Sequence, residues 1–216
     1  MSNERGITMD GQWLEKRMGE FLEAVASAKP VPGGGSVAAF AGAFGAALVL
    51  KVGRLTLNRE EFRPVQNELQ VAAASAQSFM AELANLASED AAAYEAVAIA
   101  RALPKTTERE QNLRNGVIQK TLCTATEVLL KTARACGEVL ILADQVAAKG
   151  NPHAAGNAKV AALMASAALR AATVDARENL GRIKDEKFRM ACENEIKHIE
   201  ERVRKIILKQ WQEREQ

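Results

Sequence analysis

Apolar residues recur along this chain at steps of three and four, the spacing that turns one face of an α-helix toward a core. The clearest series is Val65, Leu69, Ala72, Ala76, Phe79, Leu83 and Leu86, alternating four and three as a bundle helix does. It predicts a long helix over 64–103. Five prolines, at 30, 32, 64, 104 and 152, fall between such stretches, where a missing N–H does least harm. A first helix is expected over 11–27, with Leu14, Met18, Phe21, Leu22 and Val25 as its apolar side. A second follows Pro32-Gly33-Gly34-Gly35, with Ser36 as N-cap, and runs to Asn58. Thr107 and Glu110 form a capping-box pattern that opens a fourth helix, closed by Lys149 and Gly150. A fifth spans 154–180 and ends at Gly181. The sixth, Asp185 to Gln216, carries Phe188, Ile196, Ile199, Val203, Ile206 and Leu208 as its apolar side. There is no repeat of solenoid period and no linker long enough to separate domains. The expectation is one all-α domain over 1–216, an antiparallel bundle of about five to six long helices.

Composition sharpens this picture. Of the 216 residues 41 are alanine, the best helix former, and aromatic residues make up 4%, too few strand formers for a large sheet. Alanine buries little area per side chain, so a stable core needs closely packed helices or burial between subunits. Lys and Arg number 29 against 27 Asp and Glu, a net charge of +2, which argues against a general nucleic-acid binder. Three cysteines, Cys123, Cys136 and Cys192, contain no CxxC, support neither a disulfide framework nor a zinc ribbon, and fit a reducing compartment. The N-terminus lacks a signal-peptide pattern, and the apolar run Val37–Leu50 is short for a membrane span. A cytoplasmic protein with no membrane partner is expected.

Three places carry candidate chemistry. The turn Gly33-Gly34-Gly35-Ser36 lets backbone approach a ligand or another helix closely, and the helix N-terminus behind it presents free N–H groups to a carboxylate or phosphate. It matches neither a P-loop nor a dinucleotide fingerprint, and a plain flexible turn into a buried helix stands as the alternative. Behind it Ala38, Gly42 and Ala46 set small residues on one face, suited to close helix contact. Second, the third-helix stripe continues past Leu86 to Asp90, then Tyr94 and Val97, which puts a carboxylate on the apolar seam. Such a group suits acid/base work or binding of a polar heterocycle; the alternative is a hydrogen bond to a neighbouring helix or a solvated edge. Glu89, one position off, belongs to the surface. Third, beyond the Gly150-Asn151-Pro152-His153 turn, Asn157 lies one turn inside a helix, and Asp175 and Asn179 share a face at i,i+4. His153 and His198 read as surface residues, and no metal-ligand spacing is present.

The segments PVPGGGSVAAFAGAFGAALVLKVGRLT, EDAAAYEAVAIARALPKTT and KGNPHAAGNAKVAALMASAALRAATVDARENLGRIKDEKF resemble, in that order, the folate cyclodeaminase/methenyltetrahydrofolate cyclohydrolase family. The likeness spans about residues 13–190, and PxPGGGS is its most specific block. It implies a helical homodimer acting on one-carbon tetrahydrofolates, with a folate pocket where helices and subunits meet. A pterin edge would meet the carboxylate of Asp90, an aminobenzoyl ring an apolar slot, and a glutamate tail the donors of the Gly33–Ser36 turn. Asn157, Asp175 and Asn179 would be further polar contacts to substrate. The resemblance implies hydrolysis of 5,10-methenyltetrahydrofolate to formyltetrahydrofolate, with formimidoyltetrahydrofolate cyclodeaminase as the enzymatic alternative. A non-catalytic folate-binding or dimerising helical protein is the rival from another class. Neither reaction calls for a cofactor or metal beyond the folate substrate.

Two positions depart from the family pattern. Asn157 stands where an Asp is expected, and Asp175 where an Asn is expected. In one straight helix 18 residues are five turns, ~27 Å, so the two share a face without touching. Direct compensation would require a broken helix or antiparallel packing of this helix across a subunit interface.

Overall fold

The structure, a computed structural model, describes residues 16–212, with side chains through Leu208. Six α-helices follow one another: α1 (Met18–Ala26), α2 (Gly34–Leu57), α3 (Gln66–Ala102), α4 (Glu108–Lys149), α5 (Ala155–Leu180) and α6 (Glu186–Gln212). Short 3-10 turns at Glu60–Val65 and Pro152–Ala154 lead into α3 and α5, and no strand occurs among the described residues. The all-α bundle expected from the spacing is the fold observed.

Helix α2 lies between α3 and α5, and α4 packs across all three; α6 covers α4 and α5. Alanine supplies roughly half of the buried apolar residues, with Leu69, Leu83, Leu140, Leu169 and Ile196 filling the wider spaces. The small-residue row works as close contact. A Cβ on Gly42 would strike Cys136 and Leu83, one on Gly45 the Ala161 carbonyl, and one on Gly53 the Ala73 side chain. Ala38 and Ala46 are buried beside them. Burial pushes the Cys136 thiol up to about 12 and holds it inert.

Local signals placed the helix ends well. Thr107 Oγ1 accepts from the Glu110 N–H at 3.2 Å, while the Glu110 carboxylate accepts from the Thr107 N–H at 2.9 Å, completing the capping box. Asp185 caps α6 by accepting from the Phe188 N–H. Ser36 is not an N-cap: α2 begins two residues earlier at Gly34, with Gly33 as N-cap, and the Ser36 hydroxyl is taken by another helix. Helix α1 begins at Met18, and Leu14 lies outside the described residues. Of its apolar side only Phe21 is buried, set edge-on against Phe40; Met18, Leu22 and Val25 are exposed. On α6, Ile196, Ile199 and Val203 are buried, Phe188 and Ile206 half-buried, and Leu208 exposed.

By length and composition α2 could cross a bilayer, yet 61% of its apolar window is buried inside the bundle. The Val31–Pro32 peptide leading into it is cis.

Candidate functional site

The first turn of α2 has two carboxylates against it because it has no side chains. A Cβ on Gly35 would overlap the Asp90 carboxyl, and one on Gly34 would lie 2.8 Å from Asp175 Oδ2. Glycine is needed here for access, not for backbone strain, since no glycine has a positive φ among the described residues. Ser36, fully buried one residue on, donates its hydroxyl to Asp90 Oδ2 at 2.8 Å. The stripe of α3 thus delivers Asp90 where its spacing placed it, on the seam and facing the α2 N-terminus.

Both carboxyls are half-buried, and both resist ionisation. Burial raises Asp90 above the ordinary carboxylate range, with the Ser36 hydroxyl and N–H pulling the other way. Asp175 is raised by burial first, then by the negative charges of Asp90 and Glu178. Two acids that hold protons more tightly than usual, one of them feeling the other, form a pair of titratable groups facing one cavity.

They face a cavity of about 220 Å³ at the end of the bundle where α2 starts. Val97, Ala125 and Leu129 supply an apolar wall, and Tyr94 stands at the edge. Asn179, one turn past Asp175, also lines it, as do Gly33, Gly34 and Gly35. Sequence reasoning missed Arg101, Glu178 and Arg182, which complete the rim. For Arg101 the signal was available: Asp90, Tyr94, Val97 and Arg101 continue the same alternation of four and three, whereas Arg182 lies in the turn past the end of α5. Neither guanidinium has an ion-pair partner among the described residues.

Asn157 is not brought to this cavity. Helix α5 runs unbroken from Ala155 to Leu180, so Asn157 sits at the opposite end of the chain's bundle, ~27 Å from the level of Asp175. A broken helix is thereby excluded as a link between the two. That far end is closed: the Asn151 N–H donates to Thr56 Oγ1 at 2.9 Å, and the Thr56 hydroxyl donates to the Val52 carbonyl. Near the cavity, Arg177 holds α5 to α6 by two parallel bonds to Glu200 at 3.0 and 3.2 Å. Glu89 pairs with Lys131 on the surface, and His153 and His198 are exposed. No cluster of His, Cys, Asp and Glu suited to a metal occurs among the described residues.

Comparison with known proteins meets this geometry. The methenyltetrahydrofolate cyclohydrolase of Methylorubrum extorquens is 38% identical over 180 residues, covering 83% of this chain and 85% of its own. The formimidoyltransferase-cyclodeaminase of Gallus gallus is 32% identical over 176 residues, 82% of this chain but 32% of that longer protein. Among solved structures, the formiminotetrahydrofolate cyclodeaminase of Thermotoga maritima superposes with a TM-score of 0.83 at 26% identity, over 91% of this chain and 94% of that one. The family model described as formiminotransferase-cyclodeaminase matches residues 17–198, which takes in every helix that builds the cavity, and the chain belongs to that family.

Proposed function

We propose that this protein hydrolyses 5,10-methenyltetrahydrofolate, using Asp90 and Asp175 as an acid/base pair. One observation carries the reading: two half-buried carboxyls, both raised, flank a side-chain-free helix N-terminus at one cavity. The substrate's bridging carbon is already an electrophilic amidinium, so no metal or cofactor is needed to activate it. Water adds to that carbon as the ionised carboxylate takes a proton, and the protonated partner delivers one to N5 as the carbon–N5 bond breaks. Of water's two protons one ends on N5 and the other leaves to solvent; the carbonyl remains on N10. Val97, Ala125 and Leu129 provide the slot for the aminobenzoyl ring. Since the α2 N-terminus is already faced by carboxylates, the glutamate tail is assigned to Arg101 and Arg182. The reading includes a homodimer in the cytoplasm, a reducing compartment that suits three free thiols.

A cyclodeaminase would use the same pair differently: N10 attacks the formimino carbon and ammonia leaves protonated. The cyclohydrolase of Methylorubrum extorquens is 38% identical to this chain against 26% for the cyclodeaminase of known structure, which favours hydrolysis. Purified protein should bleach methenyltetrahydrofolate faster than buffer alone. Ammonia release from the formimino substrate without that bleaching would move the assignment to the deaminase, and silence in both assays would end the enzymatic reading.

A further inference from the structure

The stretch 101–121 contains no buried residue, and α4 buries its first side chain only at Leu122. Core packing therefore does little to fix this stretch, although Arg101 within it lines the cavity. Hydrogen bonds from α4 do the fixing. Gln111 Nε2 donates to the Lys105 carbonyl at 3.1 Å. Arg114 donates from Nε and Nη2 to the Arg101 carbonyl at 3.1 and 2.9 Å. Gln119 donates from Nε2 to the Arg182 carbonyl at 3.0 Å, while its Oε1 accepts the Lys184 N–H at 2.7 Å.

Two of these anchors fall on the two rim cations. Arg101 is in the last turn of α3, so its carbonyl is one that no helical N–H reaches. Arg114 caps that carbonyl and brings positive charge to the negative end of α3. Nε and Nη2 are the edge of a guanidinium that grips a carboxylate, so Arg114 is committed to backbone where Arg101 is not. Arg182 lies in the turn past the end of α5, its N–H bonded back to the Asn179 carbonyl at 2.9 Å and its own carbonyl taken by Gln119. By pairing with Arg182 and Lys184, the Gln119 amide brackets the buried Ile183 between them. Arg114 and Gln119 stand ~7.5 Å apart along α4 and about 140° apart round it. One flank of α4 thus holds the end of α3, and the other holds the turn between α5 and α6.

A glutamate tail carries two carboxylates on one short chain, and two guanidiniums match them together only at a set separation. Resting on the reading of Arg101 and Arg182 as holders of that tail, we infer that Arg114 and Gln119 are positioning residues. They fix the two rim cations through their backbones and so set a preference for substrates bearing a two-carboxylate tail. The side chains of Arg101 and Arg182 stay outside this network, and they form no ion pair among the described residues. Anchoring the backbone in advance spares the ligand part of the cost of ordering its site.

Calorimetric titration of the full chain with two inert probes tests this: 5-formyltetrahydrofolate, and 5-formyltetrahydropteroate, which has the same rings without the glutamate. Arg182→Ala should weaken folate binding about three- to tenfold and leave the pteroate unchanged. Gln119→Ala and Arg114→Ala should each weaken the folate about two- to fivefold, again without effect on the pteroate. Arg114→Lys, which keeps a donor, should recover part of that loss. Because Gln119 acts through Arg182, adding Gln119→Ala to Arg182→Ala should cost nothing more, whereas adding it to Arg101→Ala should be additive. Thermal unfolding of each variant checks that it is folded. Unchanged folate affinity in both Gln119→Ala and Arg114→Ala, or equal loss of both probes, overturns the inference. A wild type that binds both probes alike, with Arg182→Ala silent, refutes the tail assignment itself and the inference with it. Binding is read without turnover, so an absence of hydrolysis would count against the catalytic pair alone.

Discussion

Helix α2 carries two fully buried hydroxyls near its two ends, and they are used in opposite ways. Thr56 closes its end: it donates to its own helix, accepts the Asn151 N–H, and is packed by Gly150. Ser36 keeps its end open: it donates across to Asp90, whose carboxyl is held beside a cavity and pairs with no cation among the described residues. One end satisfies its polar groups and gains stability. The other leaves two carboxyls less solvated than in water, at a cost in stability.

The largest break in this contrast should come from Asp90→Asn. Its kcat is expected to fall about 10²- to 10⁴-fold, read by loss of methenyltetrahydrofolate absorbance. Stability should move the other way. A carboxyl raised in the folded state stabilises fully below its unfolded pKa, and that stability is lost as pH rises through the raised value. Removing the charge therefore raises Tm at neutral pH and does nothing in strong acid; a lower Tm at neutral pH would contradict the burial cost. Next comes Gly35→Ala, whose Cβ must displace the Asp90 carboxyl, with roughly 10²-fold loss of kcat. Thr56→Val probes the closed end: leaving the buried Asn151 N–H unpaired should cost about 1–3 kcal/mol in denaturant unfolding, with kcat unchanged. The smallest effect is assigned to Arg101→Ala at the exposed rim, where KM should rise roughly three- to tenfold at constant kcat.

What the sequence revealed tracks the range of the forces involved. The Thr107–Glu110 box is complete within four residues, so spacing alone located it. The long stripe of α3 placed Asp90 on the seam because helical periodicity carries over many turns. Ser36 reads as a cap from sequence because its partner lies 54 residues away, and a local rule sees only the backbone. Met18, Leu22 and Val25 fit a helix but not a core, since one amphipathic turn pattern does not say what covers it. Arg101 was legible as a member of a stripe already identified, yet charge at a stripe's end reads as solvated until a cavity is seen beside it; Arg182 sits past the end of α5, where periodicity no longer places it. Asn157 is the opposite case: family likeness pointed to it, and one chain's geometry takes it ~27 Å away.

The alanine-rich contacts also bear on how the protein answers heat and denaturant. A buried alanine has no rotamers to lose, so the core forms with little side-chain entropy opposing it, and it hides little apolar surface per residue. Both the heat capacity of unfolding and the denaturant m-value follow surface exposed. This bundle should therefore unfold with a shallower denaturant slope and a flatter stability curve than a leucine-packed bundle of equal length.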